Sequence, residues 1–150
     1  MIITFLGHRS LTISNGLYGK IKSVIEENIN PVEKTLFYCG GYGAFDRLCA
    51  EACREVQKKH PNCEVVFVTP YIISDKKTKN TDVADYDSIL FPPLEKVPPK
   101  VAILRRNEWM VDQSDLVIAY VIYFYGGAYT GLQYALKRCK KIINLAESNS

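Results

Sequence analysis

Residues 116–136 read LVIAYVIYFYGGAYTGLQYAL and combine three patterns in one order. Residues 116–122 are continuously apolar and rich in β-branched side chains, which is typical of a strand buried on both faces of a sheet. Gly126 and Gly127 interrupt the pattern, and apolar residues at helical spacing then predict a helix over about 130–138. A strand, a glycine turn and a helix in this order place backbone N–H groups where an anionic group can bind.

Two further stretches repeat this arrangement of strand and glycine turn. A second copy lies at residues 36–48, and a variant lies at residues 2–9. Strand and helix patterns alternate along the remaining chain, with strands at 64–69 and 141–145 and helices at 17–29 and 100–112. This alternation predicts an α/β fold: a doubly wound, mostly parallel Rossmann-like sheet with helices on both faces. At 150 residues we expect a single domain, residues 1–150.

Three segments are less regular. Residues 74–82 are polar and lysine-rich and predict an exposed loop, with a lid over a ligand as the alternative. Residues 86–90 fit a short strand or a helical turn equally well. Residues 92–99 carry four prolines and predict an irregular connector.

The composition excludes several classes of protein. Hydrophobic residues make up 47% of the chain and charged residues 23%, which is ordinary for a globular domain. The net charge of +3 comes without a dense basic stripe, which argues against nucleic acid as a partner. The longest apolar run is too short to cross a membrane, and the strand-like N-terminus lacks the pattern of a signal peptide. These features predict a cytoplasmic protein with no membrane partner.

The five cysteines are expected to be reduced thiols, because their number is odd and no CxxC pair occurs. Cys49 and Cys53 lie four residues apart on one helix face, a spacing that also fits two metal ligands. Buried thiols are the favoured interpretation, and we expect neither a metal site nor a cofactor.

The first glycine turn supplies one group of candidate binding residues. Gly40, Gly41 and Gly43 allow the backbone to approach a phosphate or a ribose closely. Asp46 can then accept hydrogen bonds from sugar hydroxyls. The alternative is a tight turn with Asp46 in the first turn of a helix, where the helix dipole stabilises it.

The second glycine turn and the helix that precedes it supply another group. Thr130 follows Gly126 and Gly127, and its hydroxyl can cap the helix or bind a phosphate from the same position. Arg106, beside Asn107, can hold a phosphate through two hydrogen bonds. The alternative for the arginine is a solvated helix face with one salt bridge.

The end of the first strand supplies the last group, Gly7, His8 and Arg9, which we expect at the rim of the same pocket. His8 by itself is more typical of a structural hydrogen-bonding group than of a catalyst. Tyrosines in the strand-end loops can stack on a base or pack at the rim. These tyrosines are Tyr42, Tyr71, Tyr123, Tyr125 and Tyr129.

Taken together, the motifs resemble those of a known superfamily. In chain order they are Gly7-His8-Arg9, Gly40-Gly41 with Asp46, Arg106-Asn107 with Met110, and Gly126-Gly127 with Thr130. This series, which covers nearly the whole chain, resembles the SLOG superfamily. That Rossmann-like group includes the lonely-guy cytokinin-activating phosphoribohydrolases and the DNA-processing protein A family. The opening Gly-His-Arg is similar to that of small bacterial and phage members.

The resemblance implies an active site like that of the lonely-guy enzymes. Those enzymes cleave the N-glycosidic bond of a nucleoside monophosphate. Arg106 and Met110 match one segment of that site, and Gly126, Gly127 and Thr130 match the other. Asn107, Tyr125, Tyr129 and Gln133 replace the lysine, proline, glycine and catalytic glutamate of those enzymes. Because a glutamine cannot take a proton, hydrolysis would need another carboxylate, such as Asp46 or Glu108.

Two hypotheses about function follow. The first is a sensor or sequestering domain that binds a nucleotide or an ADP-ribose-like ligand, with phosphate on both glycine turns and Arg106. The second is an enzyme that releases the base from a nucleoside 5′-monophosphate, with Arg106 and Asp46 as its catalytic residues. The resemblance also implies a homo-oligomer.

Overall fold

The computed structural model describes residues 1–10, 12–71 and 85–146, so the predicted loop or lid at 74–82 lies outside the described residues. Within these ranges, six strands form one sheet and four α-helices cover it. The strands are β1 (Ile2–Gly7), β2 (Thr35–Cys39), β3 (Cys63–Val68), β4 (Ser88–Leu90), β5 (Leu116–Tyr120) and β6 (Lys141–Asn144). The helices are α1 (Leu17–Asn28), α2 (Ala44–Lys59), α3 (Ala102–Gln113) and α4 (Gly126–Lys137).

The order of the strands in the sheet is β4-β3-β2-β1-β5-β6, and every neighbouring pair is parallel. The chain therefore moves outward from β1 to β4 and then returns to place β5 on the other side of β1. This reversal creates a switch point between β1 and β5, where Gly7 pairs with Tyr120. The predicted Rossmann-like α/β fold is confirmed.

Side chains on the two faces of the sheet form separate hydrophobic clusters. On one face, Phe5 and Ile118 pack with α1 and α2, and on the other, Leu6 and Val117 pack with α3 and α4. Helices α1 and α2 contact each other, as do α3 and α4. The strand predicted to be buried on both faces, β5, is buried in this way.

Four of the five cysteines are buried free thiols, as predicted, and one is exposed. Cys39, Cys49, Cys53 and Cys63 are buried, and Cys139 is exposed in the turn before β6. In the part of the chain that the structure describes, no cluster of histidine, cysteine or carboxylate side chains is arranged to hold a metal ion. None of its described helices is both long and apolar enough to cross a bilayer.

The structure resolves the alternatives for one segment and moves the predicted start of one helix. Residues 88–90 form the edge strand β4, which resolves the choice between strand and helical turn. Helix α4 begins at Gly126, four residues before the predicted start at Thr130. Gly126 adopts a φ of +91°, and this conformation turns the chain from the extended Tyr125 into the helix.

Candidate functional site

A cavity of about 460 Å³ lies at the carboxyl ends of β1 and β5, at the switch point of the sheet. The loop after β1, the start of α2, one face of α3 and the turn from β5 to α4 form its walls. Ligands of open α/β sheets usually bind at this place. Eight of the predicted site residues line it: Gly7, His8, Arg9, Asp46, Arg106, Asn107, Gly126 and Gly127.

Arg106 joins α3 to the ends of two strands beneath the cavity. Its Nη1 donates hydrogen bonds to the carbonyl oxygens of Gly40 (2.8 Å) and Val68 (2.7 Å), and its Nε donates one to Asn107 Oδ1 (3.0 Å). The side chain is only 2% exposed. Burial lowers the pKa of the guanidinium, and the charge of Asp46 acts in the opposite direction. The alternative of a solvated arginine on the surface of α3 is therefore wrong for Arg106.

Asp46 lies in the first turn of α2 and contributes its carboxylate to the cavity wall. Its Oδ2 accepts a hydrogen bond from the backbone N–H of Tyr42 (3.1 Å). Burial raises the pKa of this carboxyl to about 6, although Arg106 and the Tyr42 hydrogen bond lower it. The other candidate carboxylate, Glu108, pairs instead with Arg105 at 2.6 Å and does not line the cavity.

The glycines of the first turn pack against protein atoms and do not line the cavity. A Cβ at Gly40 would lie 2.8 Å from Asp46 Oδ2 and 3.1 Å from Arg106 Nη2. Gly41 (φ +75°) packs in the same way against Phe67, and Gly43 (φ +93°) packs against the backbone of Arg9. These glycines let Asp46 and Arg106 approach the end of β2 closely, and a direct contact with ligand stays a prediction.

His8 has a structural bonding pattern. Its Nε2 accepts hydrogen bonds from the backbone N–H groups of Ile122 (3.0 Å) and Tyr123 (3.1 Å). The ring therefore carries no proton on Nε2, and burial lowers the pKa of His8, which favours this neutral form. The histidine thus fixes the loop between β5 and α4 to the end of β1.

The N-terminus of α4 faces the cavity without a side-chain cap. The residue before it, Tyr125, makes no capping hydrogen bond, and its first turn holds no acidic residue. Gly126, Gly127 and Ala128 carry the first N–H groups of the helix, and all three line the cavity. Of the two alternatives for Thr130, capping is wrong, because its hydroxyl donates to the Gly126 carbonyl inside the helix (3.0 Å). Thr130 does not line the cavity, and its contact with a phosphate stays a prediction.

Aromatic rings surround the mouth of the cavity. Tyr123 and Tyr125 stack on each other with ring centroids 5.4 Å apart, and both line the cavity. The ring of Tyr42 lies within 6 Å of two guanidinium groups, those of Arg9 (5.8 Å) and Arg106 (5.7 Å). Tyr42, Tyr123 and Tyr125 lie in the strand-end loops as predicted, whereas Tyr129 lies inside α4 and does not line the cavity.

Sequence reasoning missed Ile103 and Ser10 among the lining residues. Ile103 lies three positions before Arg106, and Met110 lies four positions after it. Residues at this spacing share one helix face, so the position of Arg106 in α3 predicts the other two. Ser10 follows Arg9 in a loop, and no pattern in the sequence distinguishes it.

Comparisons with known proteins bear on the fold and the relatives of this chain. No protein-family model matches it. The uncharacterized SPbeta prophage-derived protein YoqJ of Bacillus subtilis (strain 168) is 28% identical over 144 residues, which cover 83% of this chain and 81% of that protein. This prophage origin agrees with the predicted bacterial or phage branch.

Three solved structures share the fold. TM1055 has a TM-score of 0.60 at 12% identity and covers 94% of this chain and 71% of its own. DNA processing protein A from Streptococcus pneumoniae has a TM-score of 0.66 at 15% identity, over 98% of this chain and half of its own. DNA processing protein A from Helicobacter pylori, described with a single-stranded DNA binding mode, has a TM-score of 0.59 at 18% identity, over 99% of this chain and 68% of its own.

The Helicobacter protein corrects one expectation. The modest net charge and the lack of a basic stripe make nucleic acid an unlikely partner of this chain, and this expectation is contradicted. A protein with the same fold is described as binding single-stranded DNA. The resemblance to the SLOG superfamily, which includes the DNA-processing protein A family, is confirmed at the level of the fold: the chain has the Rossmann-like α/β fold of that superfamily.

Proposed function

We propose that this protein binds a nucleotide or a nucleotide-derived ligand in the cavity at the switch point, as a sensor or sequestering domain. One observation carries the proposal: the uncapped N-terminus of α4 opens into a cavity that also holds an arginine, a carboxylate and stacked tyrosines. A nucleotide presents a phosphate, a sugar and a base, and each has a chemically suitable partner there.

The phosphate belongs at α4. The N–H groups of Gly126, Gly127 and Ala128 lie at the positive end of the helix dipole, and the exposed side chain of Arg9 reaches the same cavity. A Cβ added at Gly127 would meet no atom within 4 Å, so the space in front of this backbone is open.

Helix α2 is a poorer phosphate site than the sequence suggests. Asp46 already supplies a negative charge to its first turn, and Oδ2 accepts the N–H of Tyr42. A phosphate at this helix would face the carboxylate, and like charges at short range repel. The proposal therefore places the phosphate on the second glycine turn alone and assigns Asp46 to hydroxyl or amine donors of the ligand.

The base belongs among the aromatic and apolar side chains. Tyr123 and Tyr125 offer stacked rings at the mouth, and Ile103 and Met110 supply apolar surface on the wall formed by α3. Base stacking on an aromatic ring contributes about 1–3 kcal/mol, which is enough to hold a base beside a bound phosphate.

The test is calorimetry with AMP, cyclic AMP and ADP-ribose, using Gly127→Ala as the diagnostic variant. A methyl group at this position fills the space that the phosphate needs and leaves the empty protein unstrained, so binding should weaken by about tenfold or more. Gly19→Ala is the matched control, because a Cβ added at Gly19 in α1 would also meet nothing within 4 Å and Gly19 is outside the cavity lining. Absence of binding by all three compounds, or equal binding by both variants, contradicts the proposal.

The recognised nucleotide can be a free molecule or part of single-stranded DNA. A substitution at Phe124 distinguishes these two ligands. This side chain is 86% exposed beside the cavity, where a base next to the bound nucleotide can stack on it. If the ligand is single-stranded DNA, Phe124→Ala should weaken binding of a short 5′-phosphorylated oligonucleotide and leave AMP binding unchanged. If AMP binds and the oligonucleotide does not, the free nucleotide is the ligand.

A second candidate function is release of the base from a nucleoside 5′-monophosphate. The observation that favours it is Asp46, a carboxylate in the cavity wall with a pKa raised to about 6. Such a group exchanges a proton near neutral pH, as the replacement for the missing glutamate must. Chromatography of AMP after incubation with the protein distinguishes the two functions, since only an enzyme converts it to adenine with turnover.

A further inference from the structure

Asp46 and Asn107 flank the guanidinium group of Arg106, and all three residues line the switch-point cavity. On one side, Arg106 Nε donates a hydrogen bond to Asn107 Oδ1 (3.0 Å). On the other, a Cβ built on Gly40 would lie 3.1 Å from Arg106 Nη2 and 2.8 Å from Asp46 Oδ2, so these two atoms border the same small space. The arginine therefore holds a carboxylate and an amide near each other in the cavity wall.

The hydrogen bond from Arg106 decides which way the amide of Asn107 faces. The Nε of an arginine is only a donor, so the amide atom that meets it must be the oxygen. The Nδ2 group, with its two N–H donors, is then the end of the amide that is left for a ligand. It donates no hydrogen bond to the described residues. Asn107 therefore offers donors to the cavity.

The carboxylate of Asp46 offers the opposite chemistry. An ionised carboxylate accepts hydrogen bonds at both oxygens and donates none. Oδ2 accepts the backbone N–H of Tyr42, and Oδ1 accepts no hydrogen bond from the part of the chain that the structure describes. Because each oxygen has two lone pairs, both can still accept a donor of the ligand. Together, Asp46 and Asn107 offer two acceptors beside a donor.

Asn107 also lies in the wall to which the proposed function assigns the base. It follows Ile103 by four positions and precedes Met110 by three, so these three residues share one face of α3. All three line the cavity. A base that packs against Ile103 and Met110 therefore lies beside the amide of Asn107 and can turn its polar edge toward it.

We propose that the ligand of this cavity is a guanine nucleotide and that Asp46 and Asn107 recognise its base, an inference that rests on the proposed function. Along one edge, guanine presents two donors, N2–H and N1–H, followed by the acceptor O6. This order is complementary to two carboxylate oxygens beside an amide donor. On the same edge of adenine, the acceptor N1 would face the carboxylate. Adenine can offer its N6–N7 edge instead, with two hydrogen bonds in place of three.

Calorimetry of the full chain with GMP, IMP and AMP tests this choice. At about pH 8, Asp46 is ionised even though burial raises its pKa to about 6. GMP should bind about tenfold more tightly than AMP, and also more tightly than IMP by about that factor, because IMP lacks only the N2 amine. AMP or IMP binding as tightly as GMP would overturn the guanine assignment and leave the proposed function intact. Absence of binding by all three would overturn both.

Asp46→Asn tests the carboxylate through specificity. The variant replaces one acceptor by a donor, which suits XMP, because xanthine carries the acceptor O2 where guanine carries the N2 amine. The preference for GMP over XMP should therefore invert, a change that loss of a purely structural contact does not produce. A folded Asp46→Asn protein that still prefers GMP would overturn the proposal.

Asn107→Asp tests the donor. A carboxylate at this position still accepts the N–H of Arg106 Nε but faces O6 of guanine without a donor, so GMP binding should weaken by about tenfold or more. Asn30→Asp is the matched control: it adds the same charge outside the cavity lining, and its carboxylate can still accept the Val32 N–H. This control should bind GMP like the wild type. Equal GMP binding by both variants would overturn the role of Asn107.

Discussion

Asp46 is a carboxylate that the fold holds where a negative charge is unfavourable. Burial raises its pKa to about 6, although the nearby guanidinium of Arg106 and the Tyr42 N–H oppose this shift. Because the carboxylate still lines the cavity, a bound ligand can reach it. A proton on Asp46 therefore decides whether this carboxyl group offers the ligand acceptors alone or a donor as well.

This protonation gives the enzyme hypothesis a specific pH dependence. If ionised Asp46 activates water or stabilises positive charge on the sugar, base release from AMP should decline as the pH falls through about 6. Asp46→Asn should lower the rate by about 10²- to 10⁴-fold, because the amide cannot accept the proton. Chromatography of released adenine between pH 5 and 8 measures both effects. An unchanged rate in the variant contradicts a catalytic role for this residue.

The connection from β5 to α4 is held by His8, the residue that follows β1. His8 Nε2 accepts two backbone N–H groups of this connection, those of Ile122 and Tyr123. The connection carries the tyrosines of the cavity mouth and leads directly into the N-terminus of α4. Fixing it therefore fixes the two parts of the site that the proposed function assigns to base and phosphate.

We expect His8→Ala to lower the free energy of unfolding by about 1–3 kcal/mol, because it leaves partly buried N–H groups without their acceptor. His8→Gln, which can place an oxygen near Nε2, should lose less. In the wild type, protonation of His8 has the same effect: its folded pKa is lowered, so its contribution is present above the unfolded value of 6.5 and is lost as the pH falls through the folded pKa. Amide exchange of Ile122 and Tyr123 against pH measures this, and exchange insensitive to both variants contradicts it.

The same connection shows which parts of an element a sequence predicts. The apolar run of β5 identifies the strand, because burial on both faces leaves no polar alternation. The start of α4 was predicted too late, since glycines are poor helix formers and Gly126 and Gly127 suggest a loop. In the structure they form the first turn, where N–H groups have no partners within the helix and glycine opens the backbone to the cavity.

For the whole molecule, alternation of strands and helices was enough to predict the sheet, and topology then brought the ends of β1 and β5 together. The sequence could not predict the different roles of the two glycine turns. That difference depends on Asp46 and Arg106 packing on Gly40, a contact between residues 40 and 106 that no local pattern encodes.

The stability of the whole molecule should report the state of Asp46. Its folded pKa of about 6 exceeds the ordinary 3.8, so the folded protein binds this proton more tightly than the unfolded chain does. The stability that this group contributes is complete below its unfolded pKa and is lost as the pH rises through about 6. Asp46→Asn lacks the titration, so its free energy of unfolding relative to the wild type should increase between pH 4 and 7.

At about 1.4 kcal/mol per pKa unit, this increase is at most about 3 kcal/mol, and water in the cavity that solvates the carboxylate reduces it. His8 titrates in both proteins and cancels in the difference. Urea denaturation of both proteins at each pH measures the free energies. A difference that stays constant with pH would mean that Asp46 titrates at its ordinary pKa. A difference that decreases would mean that the attraction of Arg106 outweighs burial, and the carboxylate would then be charged throughout this range.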